Sequence, residues 1–259
     1  MDLQLTDKMA FVAAGAHGIG EAVANLLTQE GANVIVADSD GAALAEKGQG
    51  WIGTIAADLS TADGVDRAVG HVLDTFGRAP DILINNLGVG NSTPFEQLTD
   101  EQWLQSFQVN LLGTVRISRA LVPRMAAQGG GAVVNTGSDL AKQPEPGFLD
   151  YGSCKAGLLY ITKALAKQYA PTVRINTVLP GPIWSRMWTR EGGIVDQLVA
   201  HYQMDRDAAL KQFLEDRQMP MGIGQPEDVA NAVVFLASPL AGFITGAGLD
   251  IGGTIRGLI

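Results

Sequence analysis

Seven short apolar runs, interleaved with helix-type stretches, constrain this chain more than anything else in it. They are MAFVAAG (9–15), NVIVAD (33–38), GTIAAD (53–58), DILINN (81–86), GAVVNTGS (131–138), RINTVLP (174–180) and GAGLDIGG (246–253). Little polar alternation runs through them, which is the pattern of strands buried on both faces, as in a parallel sheet. Parallel neighbours need long crossovers. Helical periodicity supplies them at 18–30, 61–76, 99–127, 151–169 and 226–237. The alternation predicts an α/β fold, a doubly wound parallel sheet of about seven strands with helices on both faces. No Pro/Gly/Ser-rich linker interrupts the 259 residues, a length near the ~250–300 residues that one core can serve. One domain over 1–259 is therefore expected.

Composition narrows the partners. Apolar residues make up 46% and charged residues 17%, which suits a large core and argues against disorder. A net charge of -9 repels phosphate backbones, so no nucleic-acid partner is expected. The one cysteine, Cys154, cannot form an intrachain disulfide and fits a reducing, cytoplasmic location. No basic segment followed by a long apolar run opens the chain, and no apolar run reaches ~18 residues. Neither a signal peptide nor a membrane span is expected. No metal site is expected either.

The stretch AFVAAGAHGIGEAVANLL puts a glycine-rich turn between the first strand and the first helix. Gly15, Gly18 and Gly20 allow a tight turn and close approach of backbone to a pyrophosphate. The helix starting near Gly18 and Ile19 aims its N–H groups at the phosphates. This is the phosphate end of a Rossmann-type sheet. The second strand ends at Asp38, 18 residues past Gly20, near the ~20 expected of an acid that binds the adenosine ribose. A carboxylate there repels a 2′-phosphate, and Ser39 and Asp40 add no positive charge. NAD is expected over NADP. His17, mostly neutral near pH 7, is the one ambiguous group at that turn.

Further along, Asp150-Tyr151-Gly152-Ser153-Cys154-Lys155 sets a tyrosine and a lysine four apart, on one face if the stretch is helical. Gly18-Ile19-Gly20, Asn85-Asn86-Leu87-Gly88, Asn110, Ser138, Tyr151 through Lys155 and Pro180-Gly181 follow in an order and spacing that resemble the short-chain dehydrogenase/reductases, in their single-domain form of about 250 residues. The resemblance runs from Lys8 to Gly253. It implies a catalytic set of Asn110, Ser138, Tyr151 and Lys155. Tyr151 is the general base in alcohol oxidation and the acid in ketone reduction. Lys155 and the nicotinamide ring lower the phenol's pKa. Lys155 also holds the nicotinamide ribose, Ser138 holds the substrate oxygen, and Asn110 binds a water that links Lys155 to solvent. Asp58 and Leu59 are placed at the adenine, Asn85 along the cofactor cleft, and Ile183 and Ser185 at the carboxamide. Asp250 stands in the family's "DGG" position with a structural role. Where the family opens its turn Thr-Gly, this chain has Ala13-Ala14, and Leu87 replaces an alanine; local repacking is expected.

The stretch at about 184–222 breaks the strand–helix rhythm and carries two tryptophans and four methionines. It is read as a substrate lid, because loops after strand C-termini form the ligand edge of such sheets. The pocket is expected between 89–94, 139–149 and 184–219, walled by Val89, Leu140, Phe148, Leu149, Trp184, Met187 and Trp188. Lys142 and Arg186 read as solvated loop charges. The expected substrate is an uncharged, hydrophobic secondary alcohol or ketone, cyclic or aromatic. The rivals are an NADPH-dependent 3-oxoacyl thioester reductase and a non-catalytic dinucleotide-binding protein. The resemblance further implies a homotetramer.

Overall fold

The computed structural model describes residues 2–47 and 50–253; residues 1, 48–49 and 254–259 of the expected domain lie outside the described residues. Strands β1 (Met9–Ala13), β2 (Asn33–Asp38), β3 (Gly53–Ala56), β4 (Ile82–Asn85), β5 (Gly131–Thr136), β6 (Val173–Pro180) and β7 (Gly248–Ile251) form one sheet. Its order is β3-β2-β1-β4-β5-β6-β7, and every pair is parallel. From β1 the chain winds one way to β3 and then, from β4, the other way to β7. The crevice of such a sheet opens where that order reverses, between the C-terminal ends of β1 and β4.

The apolar runs are buried on both faces, as their composition requires. Val12, Val34, Val36 and Ile84 point to one layer, closed by Val23 and Leu27 of α1 (Gly18–Gln29) and Val229 and Val233 of α10 (Pro226–Ala237). Their strand neighbours Phe11, Ile35, Leu83 and Val133 point the other way. There they meet Val65 and Val72 of α3 (Ala62–Phe76) and Ile117 and Leu121 of α5 (Gly113–Ala127). Local signals set the helix starts. The Thr61 hydroxyl accepts from the Gly64 N–H, Thr99 and Gln102 form a reciprocal capping box, and Pro226 occupies the first turn of α10, where its missing N–H costs nothing.

Two departures from the sequence reading matter. A short helix, α2 (Gly41–Lys47), follows β2 and was not expected. The stretch expected as one helix at 99–127 is α4 (Asp100–Phe107), a wide π turn at Gln108–Leu112, then α5. The extra residue in that turn directs Asn110 inward, a use π-bulges often serve. The insertion forms three helices, α7 (Arg186–Thr189), α8 (Ile194–Tyr202) and α9 (Arg206–Asp216). They enclose an apolar cluster of their own, Trp188, Val195, Phe213 and Met219. No helix among the described residues is long and apolar enough to cross a membrane.

Candidate active site

One cavity of about 480 Å³ lies along the C-terminal edge of the strands. At its dinucleotide end it is lined by His17, Gly18, Ile19, Asp38, Asp58 and Leu59, and further in by Pro180, Gly181, Ile183 and Ser185. At the reaction end stand Ser138, Tyr151 and Lys155, with Val89, Leu140, Phe148, Met187 and Trp188 around them. Residues far apart in sequence are thus brought to one cleft.

The glycine turn serves the cleft in two ways. Gly18 has φ +54, a left-handed conformation open to glycine at little cost, and it lines the cavity. Gly15 and Gly20 do not line it. A Cβ on Gly15 would sit 2.6 Å from Val36 Cγ1, and one on Gly20 2.3 Å from the Ala14 carbonyl oxygen. These two let the turn and α1 close on the sheet. The His17 side chain does not cap α1, so the first amides of that helix are left for an anion in the cleft. Uncapped amides, a helix dipole and a close backbone fit a pyrophosphate.

Ala14 stands where the resembling family has glycine, and it too is left-handed, with φ +62. That conformation costs a residue with a Cβ about 1–2 kcal/mol. Ala14→Gly is expected to raise the melting temperature by roughly 2–4 °C, the yield of about 1 kcal/mol in a chain this long. A scanning-calorimetry comparison with the parent checks it, and an unchanged or lower midpoint would show the turn to be unstrained. The tie that the family makes through threonine is made here by Asn86. Its Nδ2 donates to the Ala14 carbonyl at 2.9 Å, and its Oδ1 accepts from the Thr136 hydroxyl at 2.9 Å.

Asn85 belongs to a different environment from the one expected. Strand alternation turns it away from the cleft, where its Nδ2 donates to Asn135 (2.9 Å) and Ser118 (3.3 Å) in the core; its neighbour Asn86 lines the cavity instead. Leu149 and Trp184 also fall outside the lining. Leu149 begins α6 (Leu149–Tyr169), and Trp184 packs edge-on against Trp188 at 5.8 Å within the insertion's own cluster.

Helix α6 carries Tyr151 and Lys155 on one face, both buried. Lys155 Nζ donates to the carbonyls of Leu87 (2.7 Å) and Thr136 (2.9 Å) and lies 5.5 Å from the Tyr151 ring centre. Burial pulls the lysine down to about 7. The phenol moves against the sequence expectation. Burial pushes it well above its usual value, the Ser138 hydroxyl pulls it back, and the nearby Asp139 carboxylate adds to the rise. The reason is that the phenol loses its water, while the same burial pulls Lys155 down to about 7 and leaves it uncharged at the pH where the phenol would ionise. Asn110 is occupied as well: Oδ1 accepts from the Val89 N–H at 2.8 Å, and Nδ2 donates to the Val89 carbonyl at 2.9 Å and to Ser106 at 3.1 Å. It clamps the loop that runs beneath Tyr151.

Two groups in the cleft, Asp139 and Arg217, have no counterpart in the sequence reading. Ser138 Oγ donates to Asp139 Oδ1 at 3.0 Å, and both Asp139 and Arg217 line the cavity. Arg217 pairs with Glu145 at 2.8 Å and lies over the Phe213 ring at 5.2 Å. The wall is therefore less uniformly apolar than expected. Arg186 is exposed, as expected, but not isolated: it bonds Asp40 at 3.0 Å and His17 at 2.8 Å, bridging the insertion to the glycine turn. The Ala43 amide and His17 hold Asp40 down to about 2. Lys142 pairs with Asp250 at 2.8 Å, a structural use of both. Among the described residues no group of three or more His, Cys, Asp or Glu could hold a metal.

Comparison with known proteins agrees with this geometry. A family model described as enoyl-(acyl carrier protein) reductase matches residues 13–253. An uncharacterised oxidoreductase of Bacillus subtilis, YvrD, is 34% identical over the whole of both chains. The L-sorbose reductase of Gluconobacter frateurii, solved with NADPH and L-sorbose, superposes with a TM-score of 0.92 at 30% identity over 100% of each chain. The 3-ketoacyl-(acyl-carrier-protein) reductase of Brucella melitensis, solved with NADH, gives 0.82 at 29% identity, covering 96% of this chain and 98% of its own. Sheet order, cleft, Ser138-Tyr151-Lys155 constellation and relatives coincide, and the chain belongs to the short-chain dehydrogenase/reductase family of NAD(P)-binding oxidoreductases.

Proposed function

We propose that the chain is an NAD-dependent oxidoreductase that interconverts an uncharged secondary alcohol and its ketone, with Tyr151 as general acid and base. The observation that carries this reading is the convergence of Ser138, Tyr151 and Lys155 at the inner end of a cleft whose outer end holds Asp38 and the uncapped start of α1. A bound nicotinamide dinucleotide supplies the hydride. Tyr151, protonated because it is buried, holds the proton that a reduced carbonyl oxygen needs. With substrate bound, the Ser138 hydroxyl turns its proton from Asp139 to that oxygen and steadies it as charge develops. Lys155, between two carbonyls and the phenol, orients the cofactor's ribose, and Asn110 keeps Gly88 to Gly90 in place around it. The apolar walls, Leu140, Phe148, Met187 and Trp188, exclude water from the reacting carbon, with 184–222 as the lid over them. Asp58 and Leu59 take the adenine, and Ile183 and Ser185 the carboxamide.

The NAD preference rests on charge at the outer end. Asp38 Oδ2 accepts from the Ala16 N–H and Oδ1 from the Asp40 N–H, each at 3.0 Å, which fixes a carboxylate where a 2′-phosphate would lie. The cations at that turn, Arg186 and Lys47, are already matched by Asp40 and Glu21. Kinetics with both nucleotides test this. NADH is expected to exceed NADPH in kcat/KM by at least about tenfold, and Asp38→Ala to erase most of that gap, since one like-charge contact is worth about 1–3 kcal/mol. Turnover with NADPH alone would favour the thioester-reductase reading. The buried single cysteine fits a cytoplasmic enzyme. Exposed Leu104, Phe107, Tyr160 and Phe243 support assembly as a homotetramer, which light scattering reads directly.

A further inference from the structure

The carboxyl of Asp139 is the least explained group in the cleft. It follows Ser138 directly, is 8% exposed and lines the cavity. Its Oδ1 accepts from Ser138 Oγ at 3.0 Å and from the Leu140 N–H at 2.9 Å. Its Oδ2 takes no hydrogen bond from any described residue. That oxygen is accessible from the cavity rather than sealed in the core, so a substrate that displaces water from the cleft must bond it or leave it unpaired at a cost. Nothing in the proton transfer uses it; its field works against the catalytic step by raising the Tyr151 phenol.

The nearest cation gives it no close partner. Arg217 acts on Asp139 from a distance, but its own short contact is to Glu145 at 2.8 Å. Arg217 is therefore not free to hold an anionic substrate, and a substrate carboxylate or phosphate brought near Ser138 would meet Asp139. What suits Oδ2 is an uncharged donor. The substrate oxygen sits between the Ser138 and Tyr151 hydroxyls, so the group beside Ser138 lies next to the substituent one carbon away from the reacting centre.

We infer that the substrate carries a hydroxyl on the carbon adjacent to the reacting one, and that Asp139 Oδ2 selects it. The substrate class is then an α-hydroxy ketone and the corresponding vicinal diol. The apolar walls take the carbon faces of that molecule and Asp139 takes its second oxygen. A hydroxyl suits the site in either protonation state of the carboxyl, since it both donates and accepts. This inference rests on the alcohol–ketone reading above and narrows it.

The test compares cyclohexanone with 2-hydroxycyclohexanone, a pair that differs by that hydroxyl, in the parent, Asp139→Ala and Asp139→Asn. Asp139→Asn preserves the acceptor for Ser138 and Leu140 and replaces only the idle oxygen by a donor. The parent is expected to prefer the hydroxylated ketone in kcat/KM by about 10- to 100-fold, the value of one hydrogen bond to a charged group. Asp139→Ala is expected to bring the ratio near one, mainly through KM for the hydroxylated ketone, and Asp139→Asn to fall between. The ratio cancels any common effect on Ser138 or Tyr151, and unchanged dinucleotide fluorescence quenching certifies the fold. A parent ratio near one, or a ratio preserved in both variants, overturns the inference and leaves the oxidoreductase reading standing. If the parent reduces neither ketone with NADH or NADPH, the reading beneath it falls, and the inference with it.

Discussion

Tyr151→Phe is expected to lower turnover about a thousandfold or more while leaving dinucleotide affinity within about threefold, a loss in the range that general acid–base groups contribute. The substitution deletes only the hydroxyl. The ring keeps its edge-on contact with Phe148 at 6.5 Å and its place against Gly90, where a Cβ would come within 3.1 Å of the ring. Neither Ser138 nor Lys155 is placed to replace the phenol as acid. Ser138 is already a donor to Asp139, and Lys155 is committed to two carbonyls. The pH profile follows from the raised phenol. Carbonyl reduction, which needs the protonated form, is expected to hold through neutral pH and fall only in strong alkali. Alcohol oxidation, which needs the phenolate, should climb with pH. Stopped-flow measurement of nicotinamide absorbance in both directions reads this. A Phe variant as active as the parent would remove Tyr151 from the chemistry.

Lys155→Met should act on both rate and stability. Turnover is expected to fall about a hundredfold with a weaker KM for dinucleotide, because the ribose loses its donor. The stability effect has a definite sign. Lys155 is held near 7 in the folded chain against 10.5 for the free side chain. Between those values the unfolded chain keeps a proton that the native one gives up. The resulting stability is fully present above 10.5 and is lost as pH falls toward 7. Tyr151, shifted upward, contributes the opposite trend only above its ordinary value of 10.0. Urea unfolding without nucleotide should therefore show the parent gaining stability from pH 7 to 10, by up to about 1.4 kcal/mol per unit. The Met variant should show a much flatter line. Parallel curves for the two proteins would mean that the lysine is stably charged between its carbonyls.

The sheet was legible because both-face burial leaves its mark on every residue of a strand. The strands of the structure fall within the apolar runs or extend one residue beyond them, as at Val173. The helices at 61–76 and 226–237 were legible from their periodicity, and in the structure Thr61 and Pro226 mark their starts. The π turn was not, since one extra residue in a helix changes no residue type. The reaction end was legible because its members sit on rigid elements, Ser138 after β5 and Tyr151 with Lys155 on α6. What failed followed from direction. Asn85 and Asn86 are adjacent and chemically identical, and only strand alternation decides which meets the cleft. The rise of the Tyr151 phenol was hidden for a similar reason. A lysine one turn away implies attraction, but sequence does not show that burial discharges it below the pH at which the phenol ionises. Arg217 and Asp139 were missed because an ordinary loop aspartate and a helix-end arginine carry no signal until folding brings them to the same wall. Leu87 is accommodated against the first residue of α5. Gly113 supplies the space, since a Cβ there would lie 2.5 Å from the leucine's Cδ2.

The separate apolar cluster of the insertion has an evolutionary corollary. Trp188, Val195, Phe213 and Met219 hold one another without sharing the two cores that flank the sheet. Selectivity and scaffold integrity therefore draw on different sets of residues. Drift in the insertion can retune what enters the cleft while the hydride-transfer machinery and its supporting layers stay as they are. A foreign segment grafted over 187–222, which leaves Ser185 and Arg186 at the glycine turn, is expected to change the preferred substrate while the nucleotide preference stays as it is.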